Sequence, residues 1–239
     1  MKIIFSDFDG TLTNHGKIGA VFFDILNLIQ KNHAELIIVS GRSLSWGHFI
    51  LTHFPINTAI MEGGGVIVYR DEFGHIKEEN LLPQESIDKL VKITNKLIKE
   101  VSEVIMSADS FGRRTDRAIE IFQMSETAAK KTEKYLIDHG VNFSKSDVHL
   151  NFWLEDLSKA NAVSHFLKKY RPTTDINDCL YFGDAPNDQS MFRYFEHTIG
   201  VSNISHFIDQ LEDKPKIILQ GSHNEGAQGV FHYLEKLFK

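Results

Sequence analysis

Asp7-Phe8-Asp9-Gly10-Thr11-Leu12-Thr13 follows directly on the apolar run Ile3-Ile4-Phe5, and its reading decides the fold. Successive strand residues alternate faces, so positions i and i+2 project the same way. Asp7 and Asp9 therefore leave the carboxyl end of a buried strand together, where open α/β sheets place their ligands. Two like charges held that close are costly unless a cation or a proton offsets them. The pair points to a divalent metal, a reacting phosphoryl group, or both. A solvated acidic turn is the competing reading, since Asp and Gly are ordinary turn residues.

Working outward, the first 70 residues alternate between strand and helix patterns. Lys2–Ser6 reads as a strand, Gly19–Asn32 as an amphipathic helix, Glu35–Val39 as a second buried strand and Leu44–Thr52 as a helix capped by Ser43. Ala59–Met61 leads through Glu62-Gly63-Gly64-Gly65 into a hairpin, Val66–Arg70 with Ile76–Glu79, turned at Glu72-Phe73-Gly74. The pattern changes at Leu82-Pro83. Residues 84–153 read as helix, two strands, helix, two strands (Ser86–Glu100, Val104–Ala108, Arg117–Gln123, Ser125–His139, Val141–Ser144 and Val148–Trp153), an αββαββ unit with Gly140 where a helix-ending glycine is expected. From Ser158 the α/β alternation resumes with helix Lys159–Tyr170, strand Cys179–Phe182, helix Gln189–Phe195, strands His197–Val201 and Lys216–Leu219, and helix Val230–Phe238. The expected organisation is a core domain of residues 1–82 and 154–239 interrupted by a cap of residues 83–153.

Three further segments share the placement of the acid pair. Ser40-Gly41 follows a buried strand, and a hydroxyl beside an exposed glycine N–H suits phosphate oxygens, although such a pair taken alone is more often a plain helix cap. Lys159 opens a helix, where a cation opposes the macrodipole and so is expected to face an anion. Gly183-Asp184-Ala185-Pro186-Asn187-Asp188 follows strand Cys179–Phe182, and oxygen ligands of this kind suit Mg²⁺, which takes one or two carboxylates plus substrate phosphate.

Composition narrows the function. The chain has 239 residues and a formal net charge of −6, which argues against a general nucleic-acid binder. Its single cysteine, Cys179, excludes an internal disulfide framework and suits a reducing compartment. No apolar run approaches the roughly 20 residues that span a bilayer, and the first residues carry neither a basic n-region nor an apolar h-region. A cytoplasmic protein with no membrane or nucleic-acid partner is expected; monomer and homodimer are both open.

Taken in order, Asp7-Phe8-Asp9-Gly10-Thr11-Leu12-Thr13, Ser40-Gly41-Arg42, Lys159 and Gly183-Asp184-Ala185-Pro186-Asn187-Asp188 resemble the four motifs of the haloacid dehalogenase-like (HAD) hydrolases. The αββαββ insertion resembles the type-IIB cap of the sugar-phosphatase and Cof-type branch. The resemblance implies a Rossmann-like three-layer parallel-sheet α/β core with that cap inserted, and a Mg²⁺-dependent phosphatase acting on a small phosphorylated metabolite, a sugar phosphate first. It implies Asp7 as nucleophile, Asp9 as acid and base, and Mg²⁺ held by Asp7, the backbone carbonyl of Asp9 and Asp184. Ser40 and Gly41 would bind phosphoryl oxygens, Lys159 would neutralise charge, and Asn187 and Asp188 would orient Lys159 and the metal's waters. A phosphomutase using the same phosphoenzyme, or a non-catalytic module binding a phosphorylated ligand, are the alternatives.

Specificity is expected from the cap and from Arg42 and Glu62 on the core. Arg113-Arg114-Thr115-Asp116-Arg117 is the densest cationic run of the cap; it clamps an anionic group or sugar hydroxyls, or is a solvated turn. Asn151 and His149 share a strand face, with Asn151 at a position that is polar, and frequently acidic, in type-IIB relatives. Glu62 stands where many relatives carry Asn, and either faces the pocket or simply begins the hairpin.

Overall fold

The computed structural model describes residues 2–145 and 149–239. Its centre is an eight-stranded sheet of β1 (Ile3–Ser6), β2 (Glu35–Val39), β3 (Thr58–Met61), β4 (Val66–Arg70) and β5 (Ile76–Asn80), with β10 (Cys179–Gly183), β11 (Thr198–Gly200) and β12 (Ile217–Ile218) from the later part of the chain. The order is β12-β11-β10-β1-β2-β3-β4-β5. Every pair from β12 to β3 is parallel, and β3, β4 and β5 close the edge as antiparallel neighbours.

The inner strands are apolar on both faces because both are covered. Ile4 and Ile38 pack against α1 (Ala20–Lys31), α2 (Leu44–His53) and α7 (Gly226–Leu237), while Ile3, Phe5, Ile37 and Val39 pack against α5 (Lys159–Tyr170) and α6 (Gln189–Tyr194). Phe22, Ile25, Leu26 and Ile29 of α1 form one buried stripe at helical spacing. The result is a three-layer α/β core.

After β5 the chain builds a second, four-stranded antiparallel sheet from β6 (Ile105–Met106), β7 (Asp116–Glu120), β8 (Asn142–Lys145) and β9 (His149–Trp153), ordered β6-β7-β9-β8. Helices α3 (Gln84–Glu100) and α4 (Glu126–Asp138) bury one face with Ile119, Leu150 and Phe152. The pairings Asp116↔Trp153, Ala118↔Asn151 and Glu120↔His149 put a polar set on the other face. At the end of α4, Gly140 takes φ +67 while Val141 N–H returns to Leu136 C=O, which satisfies the helix end.

Several boundaries differ from expectation. β6 is two residues instead of five, because the chain turns into the 3-10 turn Ser110–Gly112. β7 begins at Asp116 and stops at Glu120. α3 starts at Gln84, directly after Pro83, and α7 starts at Gly226, four residues before the apolar pattern that announced it. Val148, expected to open β9, lies outside the described residues. Among the described residues no helix is long and apolar enough to cross a membrane.

Candidate active site

The carboxyl ends of β1, β2 and β10 meet the start of α5, and this junction collects the acids. Asp7 continues β1, tied to β10 by its N–H on Phe182 C=O at 2.9 Å. Lys159 is the first residue of α5, whose Ser158 cap accepts the Asn161 N–H. The ammonium donates to Asp7 Oδ1 at 2.6 Å and to Asp188 Oδ1 at 2.7 Å. It is only 3% exposed, so these ion pairs operate with little solvent screening. Burial, then the neighbouring carboxylate of Asp188, push the Asp7 carboxyl up to about 7, against the opposing pull of Lys159. The two carboxylates hold the lysine well above its ordinary value in spite of burial.

Asp188 has no capacity left for another ligand. Its Oδ1 takes Lys159 and the Tyr181 hydroxyl, and its Oδ2 takes the N–H groups of Asp184 and Ala185 at 2.9 and 3.1 Å. A carboxylate offers about four acceptor positions, and all four are filled. Asp188 therefore orients the lysine and the 184–188 loop. Its neighbour Asn187 is exposed, and its side chain makes no hydrogen bond among the described residues, because adjacent positions of a 3-10 turn point about 120° apart. Of the two, it is Asp188 that orients Lys159.

Asp184 faces Asp7 from the other side. It accepts Thr11 Oγ1 at 2.8 Å and Asn203 Nδ2 at 2.8 Å. Asn203 also donates to Gly10 C=O and accepts the first N–H of α7, so it ties three segments to one acid. Gly10 is required here: it takes φ +79, and a Cβ would lie 2.2 Å from Asp184 Oδ2. Burial and the charges of Asp7 and Asp188 raise the Asp184 carboxyl to about 8.

Oxygens of Asp7, Asp184 and Asp188 lie within 4.8 Å of one another. Three carboxylates against one ammonium leave an excess of negative charge in a desolvated cup, and each of Asp7 and Asp184 keeps acceptor capacity that no described residue uses. An all-oxygen, doubly anionic set of this kind fits a hard divalent cation such as Mg²⁺.

Ser40 and Gly41 lie at the end of β2, beside this cup. Ser40 is 1% exposed, and its Oγ accepts the Arg42 N–H at 3.1 Å. The Gly41 N–H is used by no other group among the described residues. Arg42 does not reach toward a distant subsite: its guanidinium forks onto both oxygens of Asp9 at 2.7 Å each.

Of the remaining residues expected to read substrate, Glu62, Arg113 and Arg114 join the cap to the core, while Arg117, His149 and Asn151 are engaged within the cap. Glu62, buried at the end of β3, accepts the N–H groups of Leu44 on the core and of Arg114, Thr115 and Asp116 on the cap, together with Thr115 Oγ1. It is a latch, which accounts for its burial. Arg113 is 5% exposed and fully engaged, with Asp109 and Asp116 as ion-pair partners and a hydrogen bond to Gly41 C=O at 3.1 Å. A guanidinium so committed does not clamp a substrate anion. Arg114 pairs with Glu78, and Arg117 donates to the backbone carbonyls of Arg113, Arg114 and Asp116. Arg114 and Arg117 border a cleft of about 290 Å³ between α2 and the segment 111–114 that leads into β7. Asn151 donates to Asp116 at 3.3 Å, and His149 lies 3.2 Å from Glu120.

Glu62→Gln turns an all-acceptor group into one that presents an NH₂ to a ring of N–H donors. Unfolding in urea should show a loss of about 2–3 kcal/mol, since hydrogen bonds to a charged group are worth most. An unchanged midpoint would remove the latch.

Thr11, Tyr181 and Asn203 escaped the sequence reading as contacts of the site. Thr11 lies inside the first motif, and Asn203 is a polar residue just past the end of a core strand; Tyr181 carried no signal.

The chain matches the profile of haloacid dehalogenase-like hydrolases over residues 4–139 and 109–234, and it belongs to that family. No curated protein matches the sequence. Among solved structures it is similar to a haloacid dehalogenase-like hydrolase from Bacteroides thetaiotaomicron, at TM-score 0.76 and 18% identity over 99% of each chain. A phosphatase of the same superfamily from that organism aligns at TM-score 0.70 and 17% identity, covering 100% of this chain and 95% of the other. The sucrose-phosphatase of Synechocystis sp. PCC6803, solved with sucrose and phosphate, aligns at 0.67 and 13% over 98% and 97%. At such identities the likeness is one of fold.

Proposed function

We propose that this chain is a Mg²⁺-dependent phosphatase that hydrolyses a small phosphate monoester, a sugar phosphate, through a phosphorylated Asp7. The observation that carries the reading is the Lys159 ammonium between Asp7 and Asp188, with Asp184 opposite. Asp7, Asp184 and the Asp9 backbone carbonyl would hold Mg²⁺, which when bound screens the charge of an incoming phosphoryl group.

Lys159 favours the ionised form of Asp7 against its burial, keeping a nucleophile available in a site too dry to ionise an isolated acid. An Asp7 oxygen attacks phosphorus, and the bond from phosphorus to the ester oxygen breaks with its electron pair on that oxygen. Asp9 supplies the proton that oxygen needs. Water then attacks the phosphorus of the acyl phosphate and gives its proton to the Asp9 carboxylate. The Asp7–phosphorus bond breaks, and the electron pair returns to Asp7. Ser40 and the Gly41 N–H suit the phosphoryl oxygens throughout, as oriented donors at the place where charge develops. The hydroxyl-rich substrate class is supported by the polar cap face around Asn151 and Glu120 and by the sugar phosphatase that shares the fold. Phosphate release from p-nitrophenyl phosphate with Mg²⁺, followed by a panel of sugar phosphates, tests the reading. Isomerisation of a sugar phosphate without phosphate release would replace it.

The acids also fix a pH dependence. The folded Asp7 and Asp184 carboxyls sit at about 7 and about 8, above the unfolded value of about 3.9. Between these limits the folded chain holds more protons than the unfolded one, so without metal stability falls as pH rises from about 4 to about 8. A divalent cation competes with those protons. The Mg²⁺-induced rise in melting temperature should therefore be larger at about pH 8.5 than at about pH 6, each kcal/mol giving roughly 2–4 °C for a chain of this size. An equal rise at both pH values would count against a cation on these acids.

A further inference from the structure

We propose that Arg42 is the positioning residue of Asp9, its planar fork fixing the carboxylate that exchanges a proton with the leaving oxygen. The proposal rests on the phosphatase reading above and assigns a role to a residue outside the phosphoryl cup.

Among the described residues, Arg42 is the only group that hydrogen-bonds the Asp9 carboxylate. Nε donates to Oδ2 and a terminal nitrogen to Oδ1, both at 2.7 Å. The Asp9 side chain is 42% exposed, so no wall of packing holds it. Without the fork it would sample its other staggered rotamers.

Arg42 is itself held. Its guanidinium lies over the Trp46 ring, 4.2 Å from the centroid, and Trp46 leans on the buried Phe8. Its N–H is on Ser40 Oγ, and its carbonyl accepts the N–H of Glu62. The fork is thus fixed in position and plane before substrate arrives. A bidentate guanidinium–carboxylate pair sets direction as well as distance, which a lysine cannot reproduce.

The reaction separates this role from a structural one. A p-nitrophenolate leaves without a proton, whereas the more basic phenolate needs one. In R42Q, phenyl phosphate turnover should fall about 100-fold, the lower range for general acid catalysis, while p-nitrophenyl phosphate falls by less than about tenfold. R42K, which keeps the charge and loses the fork, should recover little of the phenyl phosphate rate. In a D9N background R42Q should cost nothing further on either ester, because the two residues act as one unit. The melting temperature of R42Q should stay close to wild type, since Arg42 is one-third exposed.

Equal losses on the two esters, full recovery by R42K, or an added loss in the D9N background would each overturn the positioning role while leaving the phosphatase intact. A wild-type chain that hydrolyses neither ester with Mg²⁺ would overturn the phosphatase reading and this inference with it.

Discussion

Asp7→Asn is expected to leave the fold in place and reduce turnover by about 10⁴-fold or more, in line with removal of a single nucleophile elsewhere. The amide is nearly isosteric with the carboxylate and can still accept the Lys159 proton now on Oδ1. It also removes one negative charge from a cup that carries an excess, so the melting temperature in the absence of metal should hold or rise. Chemistry and stability therefore move apart in this variant. A steady-state assay beside a thermal melt reads both. Near wild-type phosphate release would remove Asp7 from the mechanism.

Lys159→Met should fail on both counts. It leaves Asp7 and Asp188 buried with no opposing charge, and breaking a buried ion pair from one side costs about 3–5 kcal/mol. Without the ammonium Asp7 holds its proton more tightly, so the variant loses more stability as pH rises and is closest to wild type in mild acid. Turnover should fall by about 10²–10³-fold, the range for losing one oriented electrostatic donor. Urea unfolding at two pH values, read beside the assay, checks the pair of effects. Full stability at alkaline pH would mean that the buried acids are neutralised by something other than Lys159.

The parts of the site that were readable from sequence are those set by local geometry. Asp7 sits where an alternating strand must deliver it, and Lys159 and Asp184 sit at element ends whose burial pattern is unmistakable. The core topology followed from apolar runs separated by helical stripes. What could not be read depends on partners distant in the chain. Glu62 is a latch only because Arg114, Thr115 and Asp116 come to it from the cap. The string Arg113–Arg117 reads the same whether solvated or internally paired, although Asp109 and Asp116 stand at helical spacings from Arg113. Asn187 and Asp188 are alike in type, and only the sense of a 3-10 turn sends one outward and the other onto Lys159. Arg42 belongs to the same group: its partner Asp9 lies 33 positions away.

The central claim is that a phosphoryl group passes through Asp7. Mixing the chain with Mg²⁺ and p-nitrophenyl phosphate, quenching in acid within one turnover and weighing the peptide that contains Asp7 tests it most directly. One added phosphoryl group is expected on Asp7, disappearing as the intermediate is hydrolysed and never forming in D7N. Turnover with an unmodified Asp7, or with the phosphoryl group on another residue, would contradict it.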